Sequence, residues 1–578
     1  MIDDALELDD AQTLQADVCI VGAGPAGITL ALELADSGLR VLLLESGGLK
    51  AERDTQRLYE GAVADERLHS PPHRFRQRRF GGSTTVWGGR CVPFDPIDFE
   101  QRDYIPYSGW PFGLDALLPF YPRANELCEA GAFEYLAAAA LTGPLRPMID
   151  GFDSAHFTSD TLERFSCPTD FGARHADRLR AARDVRVLLH ANLAEVRLFP
   201  GGHAVESLLV RTLRGAQLTV RASRFVLATG GLETARLLLA NRKVMSQGIG
   251  NEHDVVGRYY MCHIAGAVGR LEFRQGGAGV WHGYDRTAEG IYCRRRLALT
   301  PETQRRLRIG NFIARLHHPR ITDPSHRTAV LSALQLAKGL ISYEYGKRLH
   351  GEERMRVRNW LRHVRNVGGA PHEVMAFGVH MLRDRFLARR KFPSIIVRSS
   401  GGHYSLDFHA EQEPNPASRI TLIDERDALG VPRLQVDWRY TPGDVRTVQA
   451  AVRLLAEDLR SSGVGTFECD PESIELEILH YGAYGGHHLG TARMGTDVRT
   501  SVVDPECRVH GVANLYIAGA AVFPTSSQAN PTLTIVALAM RLAEHLKLLS
   551  NGRAPARVTA EGERSSRSPR SFQSSSTA

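Results

Sequence analysis

Short apolar runs broken by glycine-rich turns dominate the start of the chain. Asp17 to Val21 reads as a buried strand; Gly22, Gly24 and Gly27 follow, and apolar positions then recur at helical period from Ile28 to Leu34. "GLRVLLLES" predicts a second strand ending at Glu45. Strand, glycine turn, helix and strand are complete within about 30 residues. The residues before Asp17 read as a polar leader.

From Arg186 to Arg242 the pattern changes to short apolar runs and turns. "VRVLLHANLAEVRL", "AVESLLVRTL" and "AQLTVRASRFVLATGG" predict strands in a meander, and "LETARLLLANR" a helix. "RITLIDERDALGVPRLQVDWRY" predicts strand, turn, strand. "TPGDVRTVQAAVRLLAEDLRSSG" is a helix with a Thr-Pro start and a glycine stop. "NLYIAGAAVFPT" is a strand running into a glycine turn, and "PTLTIVALAMRLAEHLKLL" a long helix opened by Pro531.

Between about Ser325 and Phe392, Val357, Trp360, Leu361 and Val364 recur at helical spacing, as do Met375, Val379, Leu382 and Phe386. Two or three amphipathic helices are predicted there. Residues 553–578 are rich in Ser, Arg, Pro and Ala and predict a disordered tail.

A chain of 578 residues suits two or three packed units. With 43% hydrophobic and 24% charged residues it supports a large core. The net charge of +6 does not mark the whole protein as a nucleic-acid binder. The acidic start MIDDALELDD lacks a basic region followed by an apolar run, and no segment approaches the ~20 apolar residues of a membrane span. The eight cysteines form no CxxC pair, so nothing points to a zinc ribbon or an iron–sulfur cluster. Scattered cysteines without a secretion signal suggest a cytoplasmic protein.

The first constellation with chemical content is GAGPAG, residues 22–27, with Glu45. Gly22, Gly24 and Gly27 let the backbone, together with Pro25 and Ala26, approach a pyrophosphate at a helix N-terminus. Glu45 stands where an acid binds ribose hydroxyls. A tight strand–helix junction without ligand would leave Glu45 unexplained. This unit alone does not separate NAD from FAD. "GGSTTVWGG", residues 81–89, can lie along a flat ring system or form a surface hairpin. The adjacent His487 and His488 lack a partner acid or cysteine at ligand spacing, which argues against a metal.

"FGGSTTVWGG", "FVLATGGLETARLLL", "VGRYYMCH", "NPASRITL", "HHLGTARMG" and "AGAAVFPTSSQANPTLTIVALA" occur in that order. With the N-terminal fingerprint they resemble the glucose–methanol–choline (GMC) oxidoreductases, in the bacterial branch near pyranose oxidases and sugar dehydrogenases. The resemblance covers most of residues 15–550, least from about 265 to 400. It implies an α/β fold of p-hydroxybenzoate-hydroxylase-like architecture: a Rossmann-like FAD-binding domain (12–99, 180–260 and 480–552) and a mixed-sheet substrate domain (100–179 and 261–479) with a helical insert (325–392). It implies FAD and the oxidation of an alcohol, on a sugar, glycoside or polyol, with the hydride passing to flavin N5. The fold also hosts lyases that keep FAD structurally, and a flavin-bound interaction protein is a further alternative.

The resemblance also implies site residues. Gly81, Gly82, Ser83, Trp87, Gly88 and Gly89 lie along the flavin. Ser46, Val196, Gly230, Gly519, Ala520, Asn530 and Thr532 join the cofactor site. Pyranose oxidases tie a histidine covalently to the flavin; the matching residue here is Val86, so FAD is expected to be non-covalent. Many members carry an acid where this chain has Gly519, and glycine there permits a close backbone approach. Counting back from Gly490 and Thr491 in HxxGT selects His487 as the base, with Asn530 of "QANPT" holding the substrate oxygen. Electrons are expected to leave for oxygen, a quinone or a separate redox partner.

His326 to Lys391 holds fourteen Lys/Arg against five Asp/Glu, an excess larger than that of the whole chain. This is either a solvated helix face or an electrostatic dock for an anionic membrane, a redox partner or a phosphorylated substrate.

Overall fold

A computed structural model of the chain describes residues 1–338, 356–397, 402–483 and 486–552. The expected tail, 553–578, lies outside the described residues. Thr13–Val21 is central to an eight-stranded sheet, between the parallel strands Val41–Leu44 and Gln217–Leu227. Val41–Leu44 is buried at every position, which is why it reads as an unbroken apolar run. The helix Pro25–Leu34 lies against the long helix Thr532–Ser550.

The N-terminal residues, read as a polar leader, form a strand. Ile2–Asp4 closes the sheet edge beside Val185–Leu189, with Ile2 opposite Val187. Asp3 pairs with Arg186 at 2.7 Å and Asp4 with His190 at 2.8 Å, so charges that look solvated in sequence have edge partners. "VRVLLHANLAEVRL" is two strands. His190 adopts a φ of 51°, and Asn192–Leu198 then enters an antiparallel meander with Val205–Arg211 and Gln217–Leu227. The far end of Gln217–Leu227 pairs with Leu515–Ile517.

A second, six-stranded antiparallel sheet runs Gly465–Glu468, Ile264–Phe273, His403–Ala410, Phe312–His317, Leu297–Leu299 and Phe157–Thr158. The helix Pro442–Ser461 packs on it and opens with a capping box between Thr441 and Asp444. Arg90–Cys91, which follows the second glycine loop directly, pairs with Leu162–Phe165 in a smaller sheet.

The insert contains the helices Ala329–Leu336, Val357–Gly369 and Pro371–His380, the last continuing as a π-turn over Met381–Leu387. Its apolar stripes face outward. Val357, Trp360, Leu361, Val364, Met375, Val379, Leu382 and Phe386 are all exposed.

Candidate active site

A cavity of about 450 Å³ joins the fingerprint turn to the histidine loop. One part of its wall is mostly backbone. Gly22, Gly24, Pro25 and Ala26 line it, with Gly24 capping Pro25–Leu34 without any side-chain cap bond. The first-turn amides of that helix are thus available to an anion. Gly27 does not line the cavity. A Cβ on it would fall 1.9 Å from the carbonyl oxygen of Gly22, so it lets the helix close on the turn. Glu45 is buried, and its carboxylate accepts from the Ala23 and Gly47 N–H groups at 2.8 and 2.9 Å. Burial raises its carboxyl pKa, against the pull of those N–H groups and of Arg78.

The second glycine loop rests on the first. Gly81 donates to the Ala23 carbonyl at 2.9 Å, and a Cβ on Gly82 would meet the Gly24 Cα at 2.8 Å. Gly82, Ser83, Val86, Trp87 and Gly88 line the cavity, while Gly81 and Gly89 support the loop from behind. Trp87 Nε1 donates to the Thr169 carbonyl at 2.9 Å. Ser46, Gly230, Gly519, Ala520 and Thr532 also line the cavity. Gly519 has a φ of 111° and open space where a Cβ would point, so its backbone is bare toward a ligand.

Val196 does not reach the cavity. It is buried in the meander, its N–H donates to Asn241 Oδ1 at 2.7 Å, and Ala191 and Leu193 line the wall instead.

Sequence reasoning missed two arginines in this wall. Arg78 Nε donates to Ser46 Oγ at 2.5 Å and lies 3.3 Å from Glu233, and the Arg76 guanidinium stacks 3.9 Å over Tyr59. Both line the cavity and add positive potential to the anion-binding turn. Bare glycines, an uncapped helix start, a buried acid and these arginines fit FAD. They would hold its pyrophosphate and ribose.

The other part of the wall is built from side chains. Arg90 Nη1 donates to Asn530 Oδ1 at 3.4 Å, turning the Asn530 amide nitrogen toward His487 Nε2, 3.0 Å away. An amide nitrogen only donates, so Nε2 presents its lone pair. His487 Nδ1 then carries the proton and donates to His263 Nδ1 at 2.8 Å. Burial pushes the His263 pKa down to about 4, which keeps it a neutral acceptor. His263 ends the motif "VGRYYMCH", so a sequence signal for it existed.

His488 has a different set of partners. Its Nδ1 lies 2.6 Å from the Tyr260 hydroxyl, which is also 2.8 Å from His69 Nε2. Its Nε2 has no hydrogen-bond partner among the described residues. Desolvation, and then His69 and Arg76, hold its pKa well below the usual histidine range.

Asp407 and His409, alternate residues of His403–Ala410 and hence on one face, line the same cavity, with the His409 ring 6.5 Å from that of His487. Burial and then Arg315 push the His409 pKa well down. Arg315 holds Glu163 at 2.9 Å and Asp407 at 3.0 Å, and Arg90 lies 3.7 Å from Glu163. Although burial opposes it, Arg315 and Arg90 keep the Glu163 carboxyl at about 2. Arg315 and Glu163 lie behind the lining and tie Arg90 and Asp407 into one network of two cations and two anions. Tyr284, Arg385 and Ser394 also line this part of the cavity, Arg385 from the insert.

Residues 17–378 match the family model for FAD-dependent oxidoreductases, and residues 414–539 match that for GMC oxidoreductases. The chain is 21% identical to 2-methyl-1,2-propanediol dehydrogenase of Mycolicibacterium austroafricanum, over 92% of this chain and 95% of that one. It is 25% identical to the fructose dehydrogenase large subunit of Gluconobacter japonicus, over 92% and 98% of the two chains. Among solved structures, pyridoxine 4-oxidase from Mesorbium loti shares the fold with a TM-score of 0.51 at 19% identity, covering 92% of this chain and 98% of that one. A fingerprint turn with its acid, a second glycine loop folded onto it and both family models over the same cavity lead to one assignment: the chain belongs to the GMC family of FAD-dependent oxidoreductases.

Proposed function

We propose that this enzyme oxidises a carbinol of a small hydroxyl-rich molecule, a sugar, glycoside or related polyol, to the carbonyl. The observation that carries this reading is the directed chain from Arg90 through Asn530 and His487 to His263. Alcohol oxidation removes a hydroxyl proton and a carbon-bound hydride. FAD, when bound, supplies the hydride acceptor. His487 supplies the base: His263 holds the proton on its Nδ1, which leaves the Nε2 lone pair to the substrate hydroxyl once that hydroxyl takes over the hydrogen bond from Asn530. Asn530 positions the substrate hydroxyl without competing for its proton.

Arg90, Arg385, Asp407 and His409 line this part of the cavity, and they suit a ligand rich in groups that both donate and accept hydrogen bonds. The relatives named for a sugar and a diol agree with that chemistry. FAD is held without a covalent bond in this reading, since Val86 offers no nucleophile. Acid precipitation should release the chromophore into the supernatant, and flavin retained in the pellet would contradict the reading. All eight cysteines are unpaired, as suits a reducing cytoplasm. Electrons leave directly for oxygen, a quinone or a separate protein.

The test is anaerobic mixing of the holoenzyme with a panel of sugars, glycosides and simple alcohols while flavin absorbance is followed. Bleaching supports oxidation. A flavin unchanged across the panel would favour a lyase with a structural flavin, or a non-catalytic flavoprotein.

A further inference from the structure

The insert helices expose apolar surface in a pattern the active site does not use. On Val357–Gly369, Val357, Trp360, Leu361 and Val364 fall at i, i+3, i+4 and i+7, one side of a helix. Val357 is 75% and Trp360 46% exposed. The packed side is polar. His363 is buried with its Nδ1 3.0 Å from Ser332 Oγ, and Asn366 donates to the same oxygen at 3.0 Å. Arg358, Arg362 and Arg365 make an exposed row next to the stripe. A second stripe follows on Pro371–His380 and Met381–Leu387, through Met375, Val379, Leu382 and Phe386, the last 71% exposed, with Arg383 exposed beside it.

Contiguous apolar patches of this kind mark interaction surfaces. An aromatic and aliphatic stripe flanked by arginines is the composition of a helix lying in the plane of a lipid interface. No helix among the described residues is long and apolar enough to cross a membrane, so the fitting mode is along the surface. The cavity is close by. Arg385, Pro393 and Ser394 line it, and the Phe392 ring is 5.1 Å from that of Tyr284, another lining residue.

We propose that these two helices dock the enzyme on an anionic lipid bilayer, with the apolar stripes at the acyl boundary and the arginine row on the headgroup phosphates. The arginines decide for lipid over a second copy of the chain, because apposing two copies of one basic row is repulsive while a phosphate surface complements it. Docking would hold the cavity beside the membrane. This surface is independent of the proposed alcohol chemistry, and its test does not use turnover.

The holoenzyme is sedimented with vesicles of phosphatidylcholine containing roughly one-third phosphatidylglycerol, and with phosphatidylcholine alone. Wild type should bind the anionic vesicles at low salt, bind the neutral ones far more weakly, and be released by high salt. Each arginine at an anionic surface is worth about fivefold, so the triple variant Arg358→Glu, Arg362→Glu, Arg365→Glu should lose roughly a hundredfold in affinity. Trp360→Ser with Leu361→Ser should also lose binding, whereas replacing the three arginines by lysine should retain it. Flavin content and melting temperature check that each variant is folded; the lipid and salt series on wild type stands without any variant. Wild type left in the supernatant with anionic vesicles overturns the proposal. So does undiminished binding by both the glutamate and serine variants. A wild-type dimer in solution that the serine pair converts to monomer would assign the face to a second copy and overturn it as well.

Discussion

The two parts of the cavity wall are made differently. The cofactor part is mostly backbone: bare glycines and an uncapped helix start, with residues 22–26 as its centre and Gly82, Gly230 and Gly519 brought to it from other segments. The reacting part is side chains, with Arg90, His263, Asp407, His409, His487 and Asn530 arriving from segments far apart in sequence. Backbone walls tolerate no added atoms. Side-chain walls tolerate substitution but lose direction. Variants of the first should therefore lose the flavin, and variants of the second should keep it and slow down.

The sharpest way to break that contrast is Gly27→Val. A Cβ there would strike the backbone oxygen of Gly22, which cannot swing aside. Loss of bound flavin is expected, read from the absorbance of purified protein; a variant that retains a full complement would mean the turn is not the cofactor seat. Next comes His487→Ala, which should retain FAD while anaerobic stopped-flow reduction slows roughly 10²–10⁴-fold. Reduction at the wild-type rate would remove His487 as the proposed base. Asn530→Ala should slow the same step by a smaller factor.

A smaller effect is expected from acid. His263 is buried beside His487, His409 and Arg90, and its pKa falls from the usual 6.5 to about 4. The unfolded chain therefore binds more protons than the folded one between these values. The stabilisation from keeping His263 neutral is complete above pH 6.5 and disappears as pH falls to about 4, roughly 3 kcal/mol in all. Urea unfolding of wild type and His263→Asn across this window should give curves that converge toward low pH. Parallel curves would show that His263 does not carry that dependence. The smallest effect belongs to His488→Ala. Its partners are Tyr260 and, through it, His69, so flavin reduction should stay within roughly tenfold of wild type. A crippled His488 variant beside a healthy His487 variant would exchange the proposed roles of the two neighbours.

This difference in construction also governs what could be read in advance. GAGPAG and Glu45 announce themselves because strand, turn, helix and strand are neighbours in the chain. Asp407 and His409 do not, because two polar residues at alternate positions of a strand look like any solvated face until the cavity covers them. Arg90 looks in sequence like no more than the residue that follows a glycine loop, although its guanidinium donates to Asn530. The family resemblance points to Val196 at the cofactor, but the turn at His190 and the meander that follows present Ala191 and Leu193 to the cavity instead. The insert's helices were legible from period alone. Which side packs was not, since apolar spacing gives a stripe but not what it faces, and here the packed side is the polar one with His363 and Asn366.

The central sheet has one more consequence, for the chain as it is being made. Thr13–Val21 and Val41–Leu44 leave the ribosome well ahead of the strand Leu515–Ile517 and the wall residues Gly519, Ala520, Asn530 and Thr532. At roughly 5–20 residues per second the nascent chain waits on the order of a minute with its glycine turn formed and the remaining wall missing. FAD can be enclosed only after Thr532 has been made. Products truncated before Gly519 should therefore be colourless, and flavin supply should limit the yield of active enzyme only once this last part of the wall is made.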